Sequence, residues 1–478
     1  MSEFLIANMA PIIFVSMVIF LLTGFPVAFA LAANGIVFGL IGIELGLLGP
    51  QLFQALPDRI FSVMASETLL AVPFFTFMGL ILERSGMAED LLDTIGQLFG
   101  PIRGGLAYAV IFVGALLAAT TGVVAASVIS MGLISLPIML RYGYDPRLAS
   151  GVIAASGTLA QIIPPSLVLI VMADQLGRSV GDMYAGAFVP GLVLTGLYIG
   201  YVLLVSFIRP QWVPALPLSA RSLHGKALAL RVVTTLLPPL TLIFLVLGTI
   251  FLGIATPTEG GAMGAAGALI MAVMRKRLTW PLLRQAMEST AKLTTFVVFI
   301  LIGARVFSLT FYGVDGHLWV EHLLGNLPGG KIGFLIVVNI LIFLLAFFLD
   351  FFELAFIVVP LLGPVAEKLG IDLIWFGVLL GVNMQTSFMH PPFGFALFFL
   401  RSVAPASVKT SDIYWGAIPF VGIQIIMVAL VIAFPQMVTF SLAQEATVDI
   451  SNIQMELPDT HYDEPSVPPS LELQPAPK

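Results

Sequence analysis

Two proline pairs interrupt apolar segments of the chain, and polar residues precede each pair. The first is Pro164–Pro165, after Gly-Thr-Leu-Ala-Gln-Ile-Ile, and the second is Pro391–Pro392, after Asn-Met-Gln-Thr-Ser-Phe-Met-His. A proline inside a helix has no N–H to donate and clashes with the carbonyl four residues earlier. We therefore predict two broken helices, which free the carbonyls of residues 160, 161, 387 and 388. Inside a membrane such carbonyls are tolerated only where protein or a wet cavity satisfies them.

A second irregular segment precedes each proline pair. The first is the stretch of small residues and hydroxyls at 118–127, and in the second Asp350 and Glu353 interrupt an apolar run at 334–362. That run is too long for one membrane span and too short for two, so a re-entrant hairpin with its tip near Asp350 is predicted. Hydroxyl and carbonyl oxygens suit hard cations. Each half can thus offer a hairpin tip that faces a broken helix.

Each of these signals has a structural alternative. The small residues at 118–127 also suit close helix packing. Asp350 and Glu353 are three residues apart and share a helix face, where they could bind a cation, carry a proton or pair with Arg305. Glu259 follows a proline, and we interpret it as a carboxylate stabilised at a helix start.

Several kinds of chemistry are excluded. The chain has no cysteine, which excludes disulfides, thiolate metal sites and cysteine catalysis. The segment 325–331 begins like a phosphate-binding loop, but Ile332 stands where serine or threonine is needed. Without a nucleotide site, coupling to an ion gradient is the default. No basic soluble domain is present to bind nucleic acid.

The composition is that of a polytopic membrane protein. Hydrophobic residues make up 59% of the chain and charged residues 10%, and the mean hydropathy is +1.04. Its 478 residues leave room for about 10–12 transmembrane spans. The first apolar segment lacks a basic n-region and is expected to be a retained span.

Basic residues are unevenly placed along the chain. Nine of the 21 lysines and arginines lie in 209–231 and 275–292, whereas the first 83 residues contain only Arg59. By the positive-inside rule both basic stretches are predicted to be cytoplasmic, and the amino terminus periplasmic. The acidic, proline-rich tail at 441–478 is expected to be disordered and to lie in the cytoplasm.

The two halves of the chain resemble each other. At a spacing of 227 the proline pairs coincide, together with Pro137 and Pro364, Gly143 and Gly370, and Asp145 and Asp372. Such ordered matches indicate a repeat. We predict repeats at 1–208 and 232–440, joined by a cytoplasmic arm at 209–231. Each repeat would carry a hairpin, near 118–127 or 348–354, and a broken helix, near 157–166 or 383–394, with inverted topology.

At these residues the chain resembles the large membrane subunit of tripartite ATP-independent periplasmic (TRAP) transporters, the DctM-like family. The resemblance covers about residues 5–440 and excludes the acidic tail. Four segments carry it: Ala-Thr-Thr-Gly-Val-Val-Ala-Ala-Ser (119–127), Gly-Thr-Leu-Ala-Gln-Ile-Ile-Pro-Pro-Ser (157–166), Thr-Pro-Thr-Glu-Gly-Gly-Ala (256–262) and Gln-Thr-Ser-Phe-Met-His-Pro-Pro-Phe-Gly (385–394).

The resemblance implies an all-α, inverted-repeat, elevator-type importer that is driven by sodium and carries organic acids. In such a protein a scaffold stays still while the hairpins and broken helices cross the membrane. The resemblance also implies two partners, a periplasmic solute-binding protein and a small four-helix membrane subunit. That small subunit is expected to be a separate chain, and the location is expected to be the bacterial inner membrane.

The resemblance also implies site residues. One sodium site would use Thr121 and Gly122 with the carbonyls of Ala160 and Ile163, and a second would use Leu349, Asp350, Ser387 and the position of His390. His390 departs from the family, where threonine commonly precedes the proline pair, and a neutral imidazole is a poor sodium ligand. The organic acid would bind between the hairpins, near Thr158, Gln161, Asn383, Gln385 and Thr386.

Three rival interpretations remain. One is an intramembrane enzyme with Asp350 and Glu353 as its carboxylate pair, which would need one asymmetric catalytic constellation instead of two matched broken helices. Another is a proton-coupled carrier. A third is a channel, which would favour a symmetric oligomer with a pore-lining ring.

Overall fold

A computed structural model describes residues 2–121 and 124–442, with only the backbone described at residues 2 and 119–121. The described residues of the first half form eleven α-helices: α1 Ser2–Ala7, α2 Met9–Leu22, α3 Val27–Glu44, α4 Leu56–Met64, α5 Glu67–Arg84, α6 Met87–Phe99, α7 Gly105–Thr121, α8 Val124–Arg141, α9 Pro146–Thr158, α10 Leu167–Leu176 and α11 Val180–Ile208.

The second half, as far as residue 442, contains eleven more: α12 Gly225–Phe251, α13 Pro257–Met274, α14 Trp280–Gly313, α15 Gly316–Gly325, α16 Gly330–Leu345, α17 Phe351–Ile357, α18 Val359–Lys368, α19 Leu373–Met384, α20 Phe395–Val403, α21 Thr410–Ala433 and α22 Gln436–Thr439. Short 3₁₀ turns lie at Leu52–Ala55, Leu159–Gln161, Pro210–Trp212, Leu218–Ala220 and Gln385–Phe388. The described residues form no β-strand.

Both proline pairs break a helix. α9 ends at Thr158 and α10 begins at Leu167, while α19 ends at Met384 and α20 begins at Phe395. In each case a single 3₁₀ turn leads from the first helix into the break. The peptide bonds Pro164–Pro165 and Pro391–Pro392 are both cis.

The repeated aspartates explain where the broken helices begin. Asp145 Oδ1 accepts hydrogen bonds from the N–H groups of Arg147 and Leu148 at the start of α9. Asp372 Oδ1 accepts one from Trp375 N–H at the start of α19. An N-cap carboxylate satisfies donors that the helix leaves unpaired. Asp145 and Asp372, which are 227 positions apart, therefore cap equivalent helices in the two halves.

Helices of the first repeat pack against helices of the second repeat. α3 packs along α14, and α13 packs along α5. Glycines permit the close approach: a Cβ on Gly303 would lie 2.4 Å from the Ala28 carbonyl oxygen, and one on Gly264 would lie 2.5 Å from Met78 Sδ. Because small residues let helix backbones approach in a membrane, these pairs form a compact frame.

The longest apolar helices can cross a membrane. Among the helices of the described residues, six are long and apolar enough by length and composition, and two bent pairs raise the number to eight. Four shorter apolar segments are Met9–Leu22, Gly105–Ala118, Leu167–Leu176 and Leu373–Phe388. The last three belong to the first hairpin and to the broken helices.

The last described residues and the arm lie at opposite ends of α11. Ser441 Oγ donates a hydrogen bond to the Ala185 carbonyl, at 2.7 Å, near the start of α11. The arm begins after Ile208, at the other end of the same helix. At 1.5 Å per residue these two points lie roughly 35 Å apart.

Candidate functional site

The start of α8, the tip of the second hairpin and the breaks of both broken helices meet at one cavity of about 160 Å³. Its lining residues come from α8, the first broken helix, α14, the start of α17 and the second broken helix: Val124, Ala125, Gln161, Leu167, Val168, Leu293, Phe296, Asp350, Phe351, Phe352, Phe388 and Phe399. Among the described lining residues Asp350 is the only charged one. Gln161 and Phe388 lie 227 positions apart, so the two repeats contribute equivalent positions to this cavity.

Asp350 is held at the cavity by the start of α17. Its Oδ1 accepts a hydrogen bond from Glu353 N–H, and its own N–H donates to Glu353 Oε2, each at 2.9 Å. This reciprocal pair is a capping box. Glu353 therefore serves the helix start, while Asp350 also faces the cavity. Arg305 interacts electrostatically with Asp174.

Glu259 shows the same arrangement at α13, as the sequence predicts. Thr256 Oγ1 accepts from Glu259 N–H, and Thr256 N–H donates to Glu259 Oε2 at 2.8 Å. Its carboxylate lies at the helix start, where the dipole favours a negative charge.

Gln161 is buried in the first break. Ser166 Oγ donates to its carbonyl oxygen at 2.6 Å, so a hydroxyl satisfies one of the carbonyls that the proline pair frees. The side-chain Oε1 has no partner among the described residues. A buried acceptor beside a cavity can bind a ligand donor or a water molecule.

Thr158 and Gln385 lie together and are fully buried. Gln385 Nε2 donates to Thr158 Oγ1 at 3.1 Å, and Gln424 Nε2 donates to the same oxygen at 3.4 Å. Gln424 Nε2 also donates to Tyr198 Oη at 3.0 Å. These four residues, which we call the break network, join both broken helices to α11 and α21.

Asn383 and Thr386 bond to backbone. Asn383 Nδ2 donates to the Asn339 carbonyl at 2.8 Å, and Thr386 Oγ1 donates to the Asn383 carbonyl at 2.6 Å. Asn383 borders a separate apolar cleft of about 340 Å³ between α16, α19 and α21. Of the five candidate substrate residues, only Gln161 therefore lines the central cavity, and the other four lie outside its wall.

The first group of candidate ion ligands is partly described. Thr121 ends α7 and its side chain is not described, and Gly122 lies outside the described residues. Ala160 is fully buried in the 3₁₀ turn of the first break, and Ile163 is half-buried just before the proline pair. α8 begins at Val124 and lines the same cavity as Gln161.

The second group lies around the other hairpin tip. Leu349 precedes Asp350 in the tip, and Ser387 Oγ has no partner among the described residues. His390 is 2% exposed and stacks on Phe347 with ring centres 4.2 Å apart, and Phe343 meets it edge-on at 4.4 Å. Neither of its ring nitrogens has a partner in the described part of the chain. The oxygens of Asp350 and Ser387 suit a hard cation, whereas the imidazole does not.

Comparison with known proteins identifies the family. The family model described as "Tripartite ATP-independent periplasmic transporter, DctM component" matches residues 14–437. The chain belongs to the DctM family. This DctM component is therefore a TRAP transporter large permease and a multi-pass membrane protein.

Two relatives carry the name "C4-dicarboxylate TRAP transporter large permease protein DctM". The one from Pseudomonas aeruginosa is 32% identical to this DctM component over 395 residues, 81% of this chain and 89% of the relative. The one from Vibrio cholerae is 30% identical over 453 residues, 90% of this chain and 96% of the relative. Both are named as permeases, so the interpretation as an intramembrane enzyme is set aside.

A solved structure shares the fold. The YdaH transporter of Alcanivorax borkumensis aligns with a TM-score of 0.57 at 16% identity, over 80% of this chain and 88% of that one. At this identity the likeness concerns the fold alone.

The prediction from sequence missed part of the site. α14 supplies Leu293 and Phe296 to the cavity wall, although neither stands out in its apolar context. Gln424 and Tyr198 were also missed. Gln424 is an isolated amide in an apolar helix, and such residues in membrane spans usually bond inside the protein. That signal was available in the sequence.

Proposed function

We propose that this permease imports a small organic acid and is driven by an inward sodium gradient. The names of the two relatives suggest a C4-dicarboxylate as the substrate class. A periplasmic binding protein would deliver the acid, and a small four-helix membrane subunit would complete the complex in the bacterial inner membrane. The arm would face the cytoplasm and the amino terminus the periplasm, which puts residue 442 on the periplasmic side.

The observation that carries this proposal is the charge of the central cavity. Asp350 faces it, and none of the described residues that line it is a lysine or arginine. Two negative charges at close range repel strongly in a medium of low dielectric constant. An anionic substrate can therefore occupy this cavity only together with cations, which supports coupling of the organic acid to sodium.

Cavity size supports a small substrate. Sites for drug-sized ligands measure roughly 300–1,000 Å³, and this cavity measures about 160 Å³. A four-carbon acid is the class that fits. Gln161 would contact it directly, whereas Thr158, Asn383, Gln385 and Thr386 would shape the site through their bonds to neighbouring groups.

Two sodium sites would flank the cavity. The first would use Thr121, Gly122 and the carbonyls of Ala160 and Ile163. The second would use Leu349, Asp350 and Ser387, with the backbone oxygen of His390 in place of its side chain. Carbonyl and carboxylate oxygens satisfy a hard cation without an imidazole.

Alternating access would follow from the division of the fold. The hairpins and broken helices would move together against the frame of α3, α5, α13 and α14. Leu293 and Phe296 on α14 form one wall of the cavity, so sliding past this wall would expose the site to one side or the other. We infer an elevator motion on this basis.

Uptake by the reconstituted complex tests the proposal. The permease, its small subunit and its binding protein are placed in vesicles with a labelled C4-dicarboxylate outside. We expect uptake under an inward sodium gradient and none under an equal potassium gradient. Equal uptake in both would overturn sodium coupling, and uptake under a proton gradient without sodium would favour the proton-coupled carrier.

A further inference from the structure

The break network lies beside the central cavity, about one helical turn before it along both broken helices. Thr158 and Gln385 lie 227 positions apart, as do Gln161 and Phe388, each three residues further along. The 3₁₀ turns Leu159–Gln161 and Gln385–Phe388 lead from the break network to these two residues of the cavity wall. The hydrogen bond between Thr158 and Gln385 therefore joins the repeats one turn before the residues that form the cavity wall.

α11 and α21 support this bond from behind. Gln424 Nε2 bonds to both Thr158 Oγ1 and Tyr198 Oη, so one amide ties α21 to α9 and to α11. Phe420, one turn before Gln424, meets Tyr198 and Tyr201 edge-on, with ring centres 5.3 and 5.1 Å apart. The support is thus an apolar contact of two tyrosines with one phenylalanine, together with the polar contacts of Gln424 and of the Tyr198 hydroxyl, which also interacts with Thr158.

The closest helix contact of the region lies on the same face. A Cβ on Gly151 would stand 2.1 Å from the Gly416 carbonyl oxygen, and one on Gly416 would stand 2.0 Å from the Arg147 carbonyl oxygen. α9 and α21 are therefore in backbone contact two turns from the network. This backbone contact holds α9 and α21 together at one end. The break network then fixes the position of the helix break at the other end.

We propose that Tyr198 and Gln424 are positioning residues, which set the distance between the two breaks and hence the affinity of the central cavity for its ligands. Neither residue lines that cavity. They act through Thr158 and Gln385, and this inference rests on the proposed function only for the identity of the ligands.

The two tyrosines on Phe420 provide a matched test. Tyr198→Phe removes only the hydroxyl that accepts from Gln424, whereas Tyr201→Phe alters a tyrosine with the same ring contact whose hydroxyl is outside the network. Loss of one buried hydrogen bond corresponds to about a three- to tenfold change in an equilibrium constant. We expect Tyr198→Phe to raise the KM for acid uptake by that factor with little change in maximal rate, and Tyr201→Phe to leave the KM unchanged.

A second measurement needs no transport. The chain has no cysteine, so Ala125→Cys places a single thiol in the cavity wall. Each variant is combined with Ala125→Cys and measured in the full complex without substrate. We expect Tyr198→Phe and Gln424→Leu to increase the rate at which a thiol reagent labels position 125. Tyr201→Phe should leave that rate unchanged. Equal labelling rates in all three variants would overturn the proposal, as would a Tyr201→Phe effect equal to that of Tyr198→Phe. Because this measurement uses neither acid nor sodium, it decides the question even if the proposed substrate is wrong.

Discussion

Gln385 Nε2 donates a hydrogen bond to Thr158 Oγ1, and these two residues occupy the same position in the two repeats. The sequence predicts both as substrate contacts, but their side chains bond to each other and to Gln424. The repeats are therefore joined directly at their helix breaks. The central cavity lies one turn further on, at Gln161 and Phe388.

Thr158→Val should destabilise the membrane domain. The valine has nearly the same shape but accepts no hydrogen bond, so two buried amide donors lose a partner. An unsatisfied buried donor costs about 1–3 kcal/mol. We expect Thr158→Val to lower the midpoint of thermal unfolding in detergent. Thr158→Ser keeps the hydroxyl, so its midpoint should stay close to that of the unmodified protein.

Ser156→Ala is the matched control for that change. Ser156 is fully buried in the same helix, and its Oγ has no partner among the described residues. Its removal should leave the unfolding midpoint nearly unchanged. If Thr158→Val and Ser156→Ala shift the midpoint equally, the break network contributes nothing to stability.

Asp350→Asn should weaken sodium activation of uptake. Asparagine caps a helix as well as aspartate does, so α17 still begins at Phe351 while the charge at the cavity is lost. A hydrogen-bonded charge is worth about 1.5–3 kcal/mol. We expect the sodium concentration for half-maximal uptake to rise about tenfold or more.

Glu353→Gln is the control for charge alone. Glutamine also completes a capping box, and Glu353 is absent from the cavity wall. Half-maximal sodium should change little in this variant. The same rise in both variants would mean that the two carboxylates act as one structural unit and that Asp350 has no separate role.

Gly416→Ala should separate α9 from α21. The added methyl group would lie 2.0 Å from the Arg147 carbonyl oxygen, whereas a Cβ on Gly422 in the same helix meets nothing within 4 Å. Overpacking costs about 1–3 kcal/mol. Thermal unfolding should therefore occur at lower temperature for Gly416→Ala than for Gly422→Ala. Equal midpoints would show that the two helices are not in backbone contact.

The two ends of α11 should be labelled from opposite sides of the membrane. Leu218 in the arm is 77% exposed and Phe440 is 86% exposed. In spheroplasts, a membrane-impermeant thiol reagent should label Phe440→Cys at once and Leu218→Cys only after lysis. Labelling of both variants from the same side would contradict the hydrogen bond between Ser441 and Ala185.

Much of the fold was predictable because it depends on local chemistry. The polar residues ahead of Pro164 and Pro391 mark these two proline pairs as breaks, whereas Pro238–Pro239 lie among apolar neighbours inside the continuous helix α12. Asp145 and Asp372 cap the helices that lead to the breaks. The site was less predictable, since contacts between distant segments determine it. Nothing local in the sequence shows that Gln424 reaches Thr158. The charge rule places the basic stretches, whereas an acidic tail with one lysine carries little topological signal.

The central claim is that sodium and an organic acid bind together in the cavity between the hairpin tips. The most direct measurement is protection of a single thiol at Ala125→Cys, in the complete complex, against a thiol reagent. Ile138→Cys, on the exposed far part of α8, serves as the control. We predict that a C4-dicarboxylate slows labelling at position 125 only when sodium is present, with no change at position 138. Protection that is equal with and without sodium, or equal at both positions, would contradict the account.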